Sequence, residues 1–371
     1  MSDLHLQVGQ TIIMGFEGTM ISSNVESLLD TIQPAGVILF ARNIESADQT
    51  HRLLGDCQDL VETPLFTCVD MEGGTVDRLR DVVAPAPSAQ EVFQAGSLQL
   101  AREHGRMIGK ECRALGFNTD FAPVLDLGFE NSNRVMGTRT VSPSAHETTE
   151  YARAFISGLK KERVLSCGKH FPGLGESDLD SHHKMPIIRK DWKSLWKQDL
   201  APYRELRGEL DFVMVAHAAY PNIAGDEVPA SLSPKWIQDM LREVLGYDGL
   251  IVSDDLEMGG VLASLPIEQA AVQTLRAGAD VFLVCRNEDK VRSCYEAVVR
   301  EAERDAAFAK QIEAAAERVR KTKKKSRELR HPAMVPTQFD VDQLRTEMAE
   351  FSNDVQRTRN KRPSLLAVAH G

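Results

Sequence analysis

The sequence lacks the features that mark secreted and membrane proteins. No apolar run approaches the ~18 residues that a membrane-spanning helix needs. The N-terminus has no basic segment followed by an apolar core and a small-residue cleavage site. We therefore expect a cytoplasmic protein with no membrane partner.

Cysteine is also scarce, with 6 residues in a chain of 371. Their spacing matches neither a disulfide framework nor a metal-binding motif. We expect all of them to be reduced and structural, because several lie in apolar runs where a thiol behaves as a small hydrophobic group. They are Cys57, Cys68, Cys112, Cys167, Cys285 and Cys294.

Basic clusters are nearly missing. The net charge is −10, which argues against a nucleic-acid partner because phosphate binding needs a concentrated basic face. One basic stretch, Arg318–Lys325, ends an alanine-rich helical segment, and we interpret it as a solvated helix end. Neither Walker nor dinucleotide-binding glycine spacing occurs, so no cofactor is expected.

What the chain does contain is a regular alternation of short apolar runs and longer helical segments, which is typical of α/β proteins. Eight runs are apolar on both faces, as buried parallel strands are. Their number favours a closed (β/α)8 barrel of the TIM type. The runs are Thr11–Phe16, Gly36–Phe40, Leu65–Val69, Thr119–Leu125, Val164–Cys167, Phe212–Ala216, Leu250–Val252 and Asp280–Cys285. The predicted helices include Ser46–Val61, Ser97–Leu115, His146–Lys161, Pro234–Leu245 and Ile267–Ala277.

Nearly every apolar run stops at a polar residue. Barrel enzymes place their chemistry at these strand ends, whereas an open doubly wound sheet would concentrate it at one switch point. The polar ends are Asn43, Asp70, Asp126, Lys169, His170, His217, Asp254 and Arg286. We predict a single catalytic barrel domain over residues 1–330 and a C-terminal helical tail over residues 331–371. The tail has one helical candidate, Val341–Asn353, which either docks on the barrel or stays mobile.

Two strand ends carry candidate catalytic groups. Asp254 and Asp255 follow an apolar strand, and alternation along the strand predicts that only one points into the barrel mouth. The loop after the fifth strand carries Asp180 and His182, spaced so that the carboxylate can hold the imidazole and tune its proton affinity. These two residues form a candidate acid/base dyad.

The same loop permits other interpretations. Its acids and histidines could ligate a metal, although no helix-borne His-x-x-x-His spacing is present and we expect no metal. They could also simply solvate a surface loop. The residues concerned are Asp178, Asp180, His182 and His183.

A third strand end supplies groups suited to sugar hydroxyls. Asp70 is followed by two glycines and then by Arg78. Carboxylates paired with arginine or lysine can form bidentate hydrogen bonds to neighbouring hydroxyl groups.

Six ordered motifs carry a family resemblance. Together they resemble glycoside hydrolase family three, and most of all the bacterial β-N-acetylglucosaminidases (β-hexosaminidases) of peptidoglycan recycling, over residues 8–300. The motifs are Lys169-His-Phe-Pro-Gly-x-Gly, Asp180-Ser-His182, Asp70-x-Glu-Gly-Gly-x-Val-x-Arg78, Phe121-Ala-Pro-Val-Leu-Asp126, Val213-Met-Val-Ala-His217 and Ser253-Asp-Asp-Leu256.

The resemblance implies a retaining, exo-acting glycosidase that removes N-acetylglucosamine from a small muropeptide or disaccharide. By this resemblance Asp254 is the nucleophile, and His182 with Asp180 is the general acid/base. The implied sugar-binding residues are Asp70, Arg78, Arg139, Lys169, His170 and His217.

The chain also departs from the family pattern. Leu174 stands where the family usually has a second histidine, and Glu176-Ser177 replaces the usual Asp-Thr. These changes put the loop conformation and the leaving-group preference in question. The alternatives are a phosphorylase or β-glucosidase of the same family, a metal-dependent barrel hydrolase, and a barrel that binds sugar without cleaving it.

Overall fold

The structure is a computed structural model, and it describes residues 3–130, 135–176, 185–262, 265–326, 329 and 333–361. Eight parallel strands close into a barrel in which each strand pairs with its neighbours along the chain, and the last pairs with the first. This confirms the predicted (β/α)8 architecture. The barrel strands are β1 Ile12–Met14, β2 Gly36–Ile38, β3 Phe66–Val69, β6 Thr119–Asp120, β7 Leu165–Phe171, β8 Phe212–Val215, β9 Leu250–Asp255 and β10 Val281–Val284. A short antiparallel hairpin, β4 Met71–Gly73 and β5 Val76–Asp77, follows β3.

Helices cover the outside of the barrel, and several begin at the serines that the sequence places before them. Ser46, Ser97 and Ser144 each accept a hydrogen bond from a backbone N–H of the first helical turn, which satisfies an otherwise orphan donor. The α-helices are α1 Asp3–Gly9, α2 Ser23–Ile32, α3 Ala47–Asp59, α4 Ala89–Gln94, α5 Leu98–Ala114, α6 Ala145–Lys161, α7 Trp192–Lys197, α8 Leu200–Leu206, α9 Pro221–Ala224, α10 Gly259–Leu262, α11 Ile267–Arg276, α12 Glu288–Arg304, α13 Ala306–Lys325 and α14 Gln338–Lys361. A π-helix spans Lys235–Val244, and short 3-10 turns span Ala41–Asn43, Gly137–Arg139 and Ala230–Leu232.

The barrel interior is filled by side chains from alternate strand positions. Phe212 packs edge-on against Phe66 at 5.1 Å and against Phe121 at 6.2 Å between ring centroids. Such layers make the barrel interior a packed core, so a ligand site can form at the carboxyl ends of the strands and not inside the barrel. All six cysteines are free and buried, which confirms their predicted structural role.

The structure corrects two boundary predictions. Strand β7 continues through Phe171 instead of stopping at Cys167, so Lys169 and His170 lie on the strand itself. The predicted tail helix is longer than Val341–Asn353, and it packs against α4 and α5.

The basic stretch Arg318–Lys325 is not uniformly solvated, so that interpretation is wrong for Lys323. This side chain is 4 % exposed, and its ammonium donates to Gln10 Oε1 at 2.8 Å and to Thr63 Oγ1 at 3.3 Å. It also lies 5.3 Å from the centre of the Phe66 ring. The long lysine stem therefore contributes to the core at the end of the barrel where the strands begin.

Within the described residues, no helix combines the length and the apolar character that crossing a membrane requires.

Candidate active site

A cavity of about 180 Å³ opens where the strands end at their carboxyl termini. This is the end of a (β/α)8 barrel at which loops and strand termini can bring functional side chains together. Its acidic, basic and histidine lining residues are Asp70, Glu72, Arg78, Arg139, Lys169, His170, Asp254 and Asp255. The structure thus brings together six sequence-predicted site residues from five separate segments of the chain.

A buried ion network forms one wall of the cavity. The Lys169 ammonium lies 2.7 Å from Asp70 Oδ1 and 2.6 Å from Glu72 Oε1. Arg139 binds Glu72 through two parallel hydrogen bonds, at 2.7 Å from Nε and 2.8 Å from Nη2. Each charge therefore has a close counter-ion, which buried charges require.

The pairing in this network decides the charge states. Burial opposes the charge on Lys169, but the Asp70 and Glu72 carboxylates outweigh it and raise the pKa of Lys169. Burial likewise opposes the charge on Glu72, yet Arg139 and Lys169 hold the pKa of Glu72 well below its usual range. Lys169 and Glu72 therefore both stay ionised at neutral pH, so this wall presents fixed donors and acceptors to a polar ligand.

Arg78 extends this wall toward the rim. Its Nη2 lies 4.0 Å from Asp70 Oδ2, and its guanidinium lies 5.5 Å from the centre of the Phe40 ring. Such stacking restrains the guanidinium while leaving its N–H donors available.

His170 has its ring orientation fixed by Asp126. Its Nδ1 lies 2.6 Å from Asp126 Oδ2, and its own backbone N–H donates to the same oxygen at 3.1 Å. The other Asp126 oxygen accepts from the Leu174 backbone N–H at 2.6 Å. Because Nδ1 faces a carboxylate, Nε2 is the nitrogen left to face Arg139, which is 3.4 Å away.

Lys169 and His170 are consecutive, yet both line the cavity. Neighbouring residues of a regular strand face opposite sides. The pairing of β7 with β8 shifts register between Gly168 and Phe171, and an irregularity of this kind re-aims side chains at a strand end.

Asp254 and Asp255 both border the cavity, and the expectation that only one of the two side chains points into the mouth stays a prediction. The pairing of β9 with β10 is irregular at this point. Hydrogen bonding distinguishes the two acids. Asp255 Oδ1 accepts from the backbone N–H groups of Glu257 at 3.0 Å and Cys285 at 3.2 Å, which ties this side chain to the adjoining loops.

The two neighbouring acids differ in proton affinity. Burial raises the pKa of Asp255 to about 7. For Asp254 burial acts in the same sense, but His170, His217, the Asp255 backbone N–H and Lys169 together bring its pKa below its ordinary value. At neutral pH Asp254 is therefore the fully ionised carboxylate of the pair.

His217 supports the backbone beside Asp254. It is buried, its Nδ1 lies 2.7 Å from Ser231 Oγ, and its Nε2 lies 2.9 Å from the Asp255 carbonyl oxygen. Burial lowers its pKa, so it is neutral and donates from Nε2 to that carbonyl. It is not among the residues that line this cavity, and the sugar contact that the resemblance implies for it stays a prediction.

The predicted dyad, Asp180 and His182, lies outside the described residues, as do Asp178 and His183 of the metal alternative. Across the ranges that the structure describes, no group of three or more His, Cys, Asp or Glu side chains could hold a metal ion.

Three cavity or support residues were not assigned from the sequence. Glu72 stands two positions after Asp70, a spacing that places both on one side of an extended segment, and this signal could have identified it. Asp126 is visible in the sequence as a polar strand end, but its contact with His170 leaves no local signal. Asp255 directly follows Asp254, and alternation along the strand favours only one of two adjacent acids.

Comparison with known proteins shows the family to which this chain is related. Residues 4–322 match the model of the glycosyl hydrolase family 3 N terminal domain. A beta-hexosaminidase of Nitrosospira multiformis is 36% identical over 286 residues, covering 75% of this chain and 81% of that protein.

Two solved structures show the same fold. A glycoside hydrolase family 3 beta-N-acetylglucosaminidase from Paenibacillus sp. str. FPU-7 superposes with a TM-score of 0.86 at 30% identity, over 95% of this chain and 69% of that one. Native NagZ from Neisseria gonorrhoeae superposes with a TM-score of 0.75 at 28% identity, over 95% of this chain and 98% of that one.

The fold and the comparisons define a barrel glycoside hydrolase whose substrate is a carbohydrate. The chain belongs to glycosyl hydrolase family 3. The family resemblance and the enzyme class predicted from the sequence are thereby confirmed.

Proposed function

We propose that this protein is a retaining β-N-acetylglucosaminidase that releases terminal β-linked N-acetylglucosamine through a covalent glycosyl-enzyme. The observation that carries the proposal is Asp254, an ionised carboxylate at a strand end that borders the same cavity as the Lys169 ion network. Its relatives support the sugar, since they include beta-hexosaminidases and beta-N-acetylglucosaminidases.

Asp254 is suited to act as the nucleophile. Its Oδ1 accepts from the Asp255 backbone N–H at 2.8 Å, and within the described parts of the chain its other oxygen takes no hydrogen bond. In the first step this oxygen bonds to the anomeric carbon while the bond from that carbon to the departing oxygen breaks. A rigid strand end holds the carboxylate in place for the attack.

His182, supported by Asp180, supplies the proton in this proposal. The imidazolium gives its proton to the departing oxygen, and the neutral ring then takes a proton from water as that water attacks the anomeric carbon. The glycosyl-ester bond to Asp254 breaks, and the acid is regenerated. An imidazole is suited to both steps because its pKa lies near the working pH.

The ion network is proposed to hold the non-reducing sugar. Carboxylate oxygens of Asp70 can accept from sugar hydroxyls, and Arg78, Lys169 and Arg139 can donate to them. The cavity of about 180 Å³ suits one sugar ring at its base, which agrees with removal of a terminal residue. A small peptidoglycan-derived fragment in the cytoplasm is the substrate that this account proposes.

The test is a panel of aryl β-glycosides that compares the N-acetylglucosaminide, glucoside and xyloside, each with and without inorganic phosphate. The proposal expects the highest kcat/KM on the N-acetylglucosaminide and free sugar as the product. Preference for the glucoside would contradict the proposed sugar. Phosphate-dependent formation of a sugar 1-phosphate would identify a phosphorylase instead.

A further inference from the structure

The C-terminal helix α14 lies beyond the family-matched residues 4–322. It nevertheless contacts residues 79–88, the segment between the β4–β5 hairpin and α4, which we call the insertion. Its buried residues recur at intervals of three and four, which places them on one helical face. They are Val341, Leu344, Met348, Phe351 and Val355. This face packs against α4 and α5, and the Phe351 ring stacks on His104 at 5.9 Å.

Hydrogen bonds and an ion pair also join α14 to the insertion and to α4. Arg345 donates to the Val82 carbonyl at 2.8 Å from Nη2 and at 3.2 Å from Nε, and to the Val83 carbonyl at 3.2 Å. Farther along the helix, Arg359 lies 3.3 Å from Glu91, which caps α4 together with Ser88. The guanidinium of Arg345 thus satisfies two backbone acceptors of a segment with no regular secondary structure.

This segment is joined directly to the β4–β5 hairpin. Asp77 of β5 accepts from the Ala86 N–H at 2.9 Å and from the Leu79 N–H at 3.1 Å. Gly74 donates to the Ala86 carbonyl at 3.0 Å. At Gly73, with φ of +80°, a Cβ would lie 2.2 Å from the Pro87 carbonyl oxygen. The hairpin and the insertion are therefore closely packed, and a shift of the insertion would move the hairpin.

The hairpin in turn positions two residues of the cavity wall, Glu72 and Arg78. Glu72 of β4 binds Lys169 and Arg139, and Arg78 directly follows β5 and approaches Asp70. A continuous series of contacts thus runs from Arg345 through residues 82–86 to Arg78.

We propose that Arg345 is a positioning residue for sugar binding, which it controls by fixing the insertion that holds Glu72 and Arg78. This inference rests on the proposed sugar-binding role of that wall. Because β9 supplies Asp254 independently of the hairpin, loosening the wall removes contacts common to the ground and transition states. Such a loss raises KM and leaves kcat nearly unchanged.

The experiment compares Arg345→Ala with Arg345→Lys and with Arg357→Ala, a control on the same helix whose side chain is 74% exposed. Steady-state kinetics are measured on the aryl β-glycoside that the wild type hydrolyses best. Arg345→Ala is expected to raise KM about threefold to tenfold, as the loss of hydrogen bonds of ordinary strength would. Its kcat should stay within about twofold. Arg345→Lys should recover part of the KM, and Arg357→Ala should change neither constant.

Unchanged KM in Arg345→Ala, or a loss confined to kcat, would overturn the inference. If Arg345→Ala does not fold, Arg345→Gln keeps a shorter donor and is measured in the same way, and a wild-type KM in that variant also overturns it. Lack of N-acetylglucosaminide turnover by the wild type would contradict the proposed function alone, because the KM comparison then proceeds on the preferred glycoside.

Discussion

Replacing Glu72 with glutamine tests whether the buried ion network stabilises the site as the geometry indicates. The Glu72 side chain is 2% exposed and faces Arg139 and Lys169. Removing one partner of such a buried network costs about 3–5 kcal/mol, because it leaves uncompensated charge. Lys169 keeps Asp70 at 2.7 Å, so we expect a loss at the lower end, about 3 kcal/mol of unfolding free energy.

A matched control is available on the surface. Both carboxylate oxygens of Glu103 pair with the guanidinium of Arg106, but both side chains are partly exposed. Glu103→Gln is expected to cost well under 1 kcal/mol. Urea denaturation at neutral pH measures the free energy of unfolding of both variants. In steady-state kinetics, kcat/KM should fall for Glu72→Gln alone.

The pH dependence provides a second readout with a definite sign. The pKa of Glu72 is depressed in the folded protein, so its stabilisation is complete above the unfolded value near 4.3 and is lost as pH falls through the folded value. The difference between wild type and Glu72→Gln should be constant from about pH 5 to pH 8 and shrink below about pH 4. A variant as stable as Glu103→Gln, or a difference independent of acid pH, would refute this account of the network.

Three further outcomes are expected. Burial lowers the pKa of Lys323 to about 7, and Cys68 acts in the opposite sense. The unfavourable free energy of burying the charged ammonium is therefore complete below about pH 7, and it is relieved as the pH rises toward the unfolded value of about 10.4. Over that pH range the unfolding free energy of the wild type should rise by up to about 5 kcal/mol relative to Lys323→Met. Lys324→Met, which replaces an exposed neighbour, should leave the pH profile of stability unchanged. Parallel stability profiles for the wild type and Lys323→Met would count against this. His182→Ala should lower turnover most on substrates with poor leaving groups, and equal losses across a leaving-group series would argue against its acid role. Asp180→Asn should shift the pH–rate profile because it removes the charge that supports the imidazolium; an unchanged profile would show that the two residues do not act as a pair.

The barrel itself was predictable because a parallel strand covered on both sides must be apolar at every position. Each of the eight apolar runs contains or overlaps one barrel strand. The polar residues that end those runs were equally visible, and they include Asp70, Lys169, His170 and Asp254. Closure of the barrel brings them to one mouth.

Pairing details were not predictable in the same way. Strict alternation would send Lys169 and His170, or Asp254 and Asp255, to opposite sides of their strands. The register shifts beside both pairs depend on neighbouring strands that are distant in sequence. Burial, together with His170 and His217 from distant strands, then gives the two acids different proton affinities.

Long-range burial was also hidden in the sequence. Lys323 lies in a run of basic residues that resembles a solvated helix end, and only the end of the barrel where the strands begin shows what its stem packs against. The role of Arg345 likewise depends on carbonyl groups of residues 82 and 83, far away along the chain. Neither contact leaves a local pattern.

The central claim is that Asp254 attacks the anomeric carbon, and covalent trapping tests it most directly. A fluorinated N-acetylglucosaminide destabilises the oxocarbenium-like transition state of the second step, so the glycosyl-ester should accumulate. Peptide mapping should then place one added sugar mass on Asp254. Asp254→Ala should lose activity by a factor of about a thousand or more. A label on Asp255, or inversion at the anomeric centre of the product, would contradict the account.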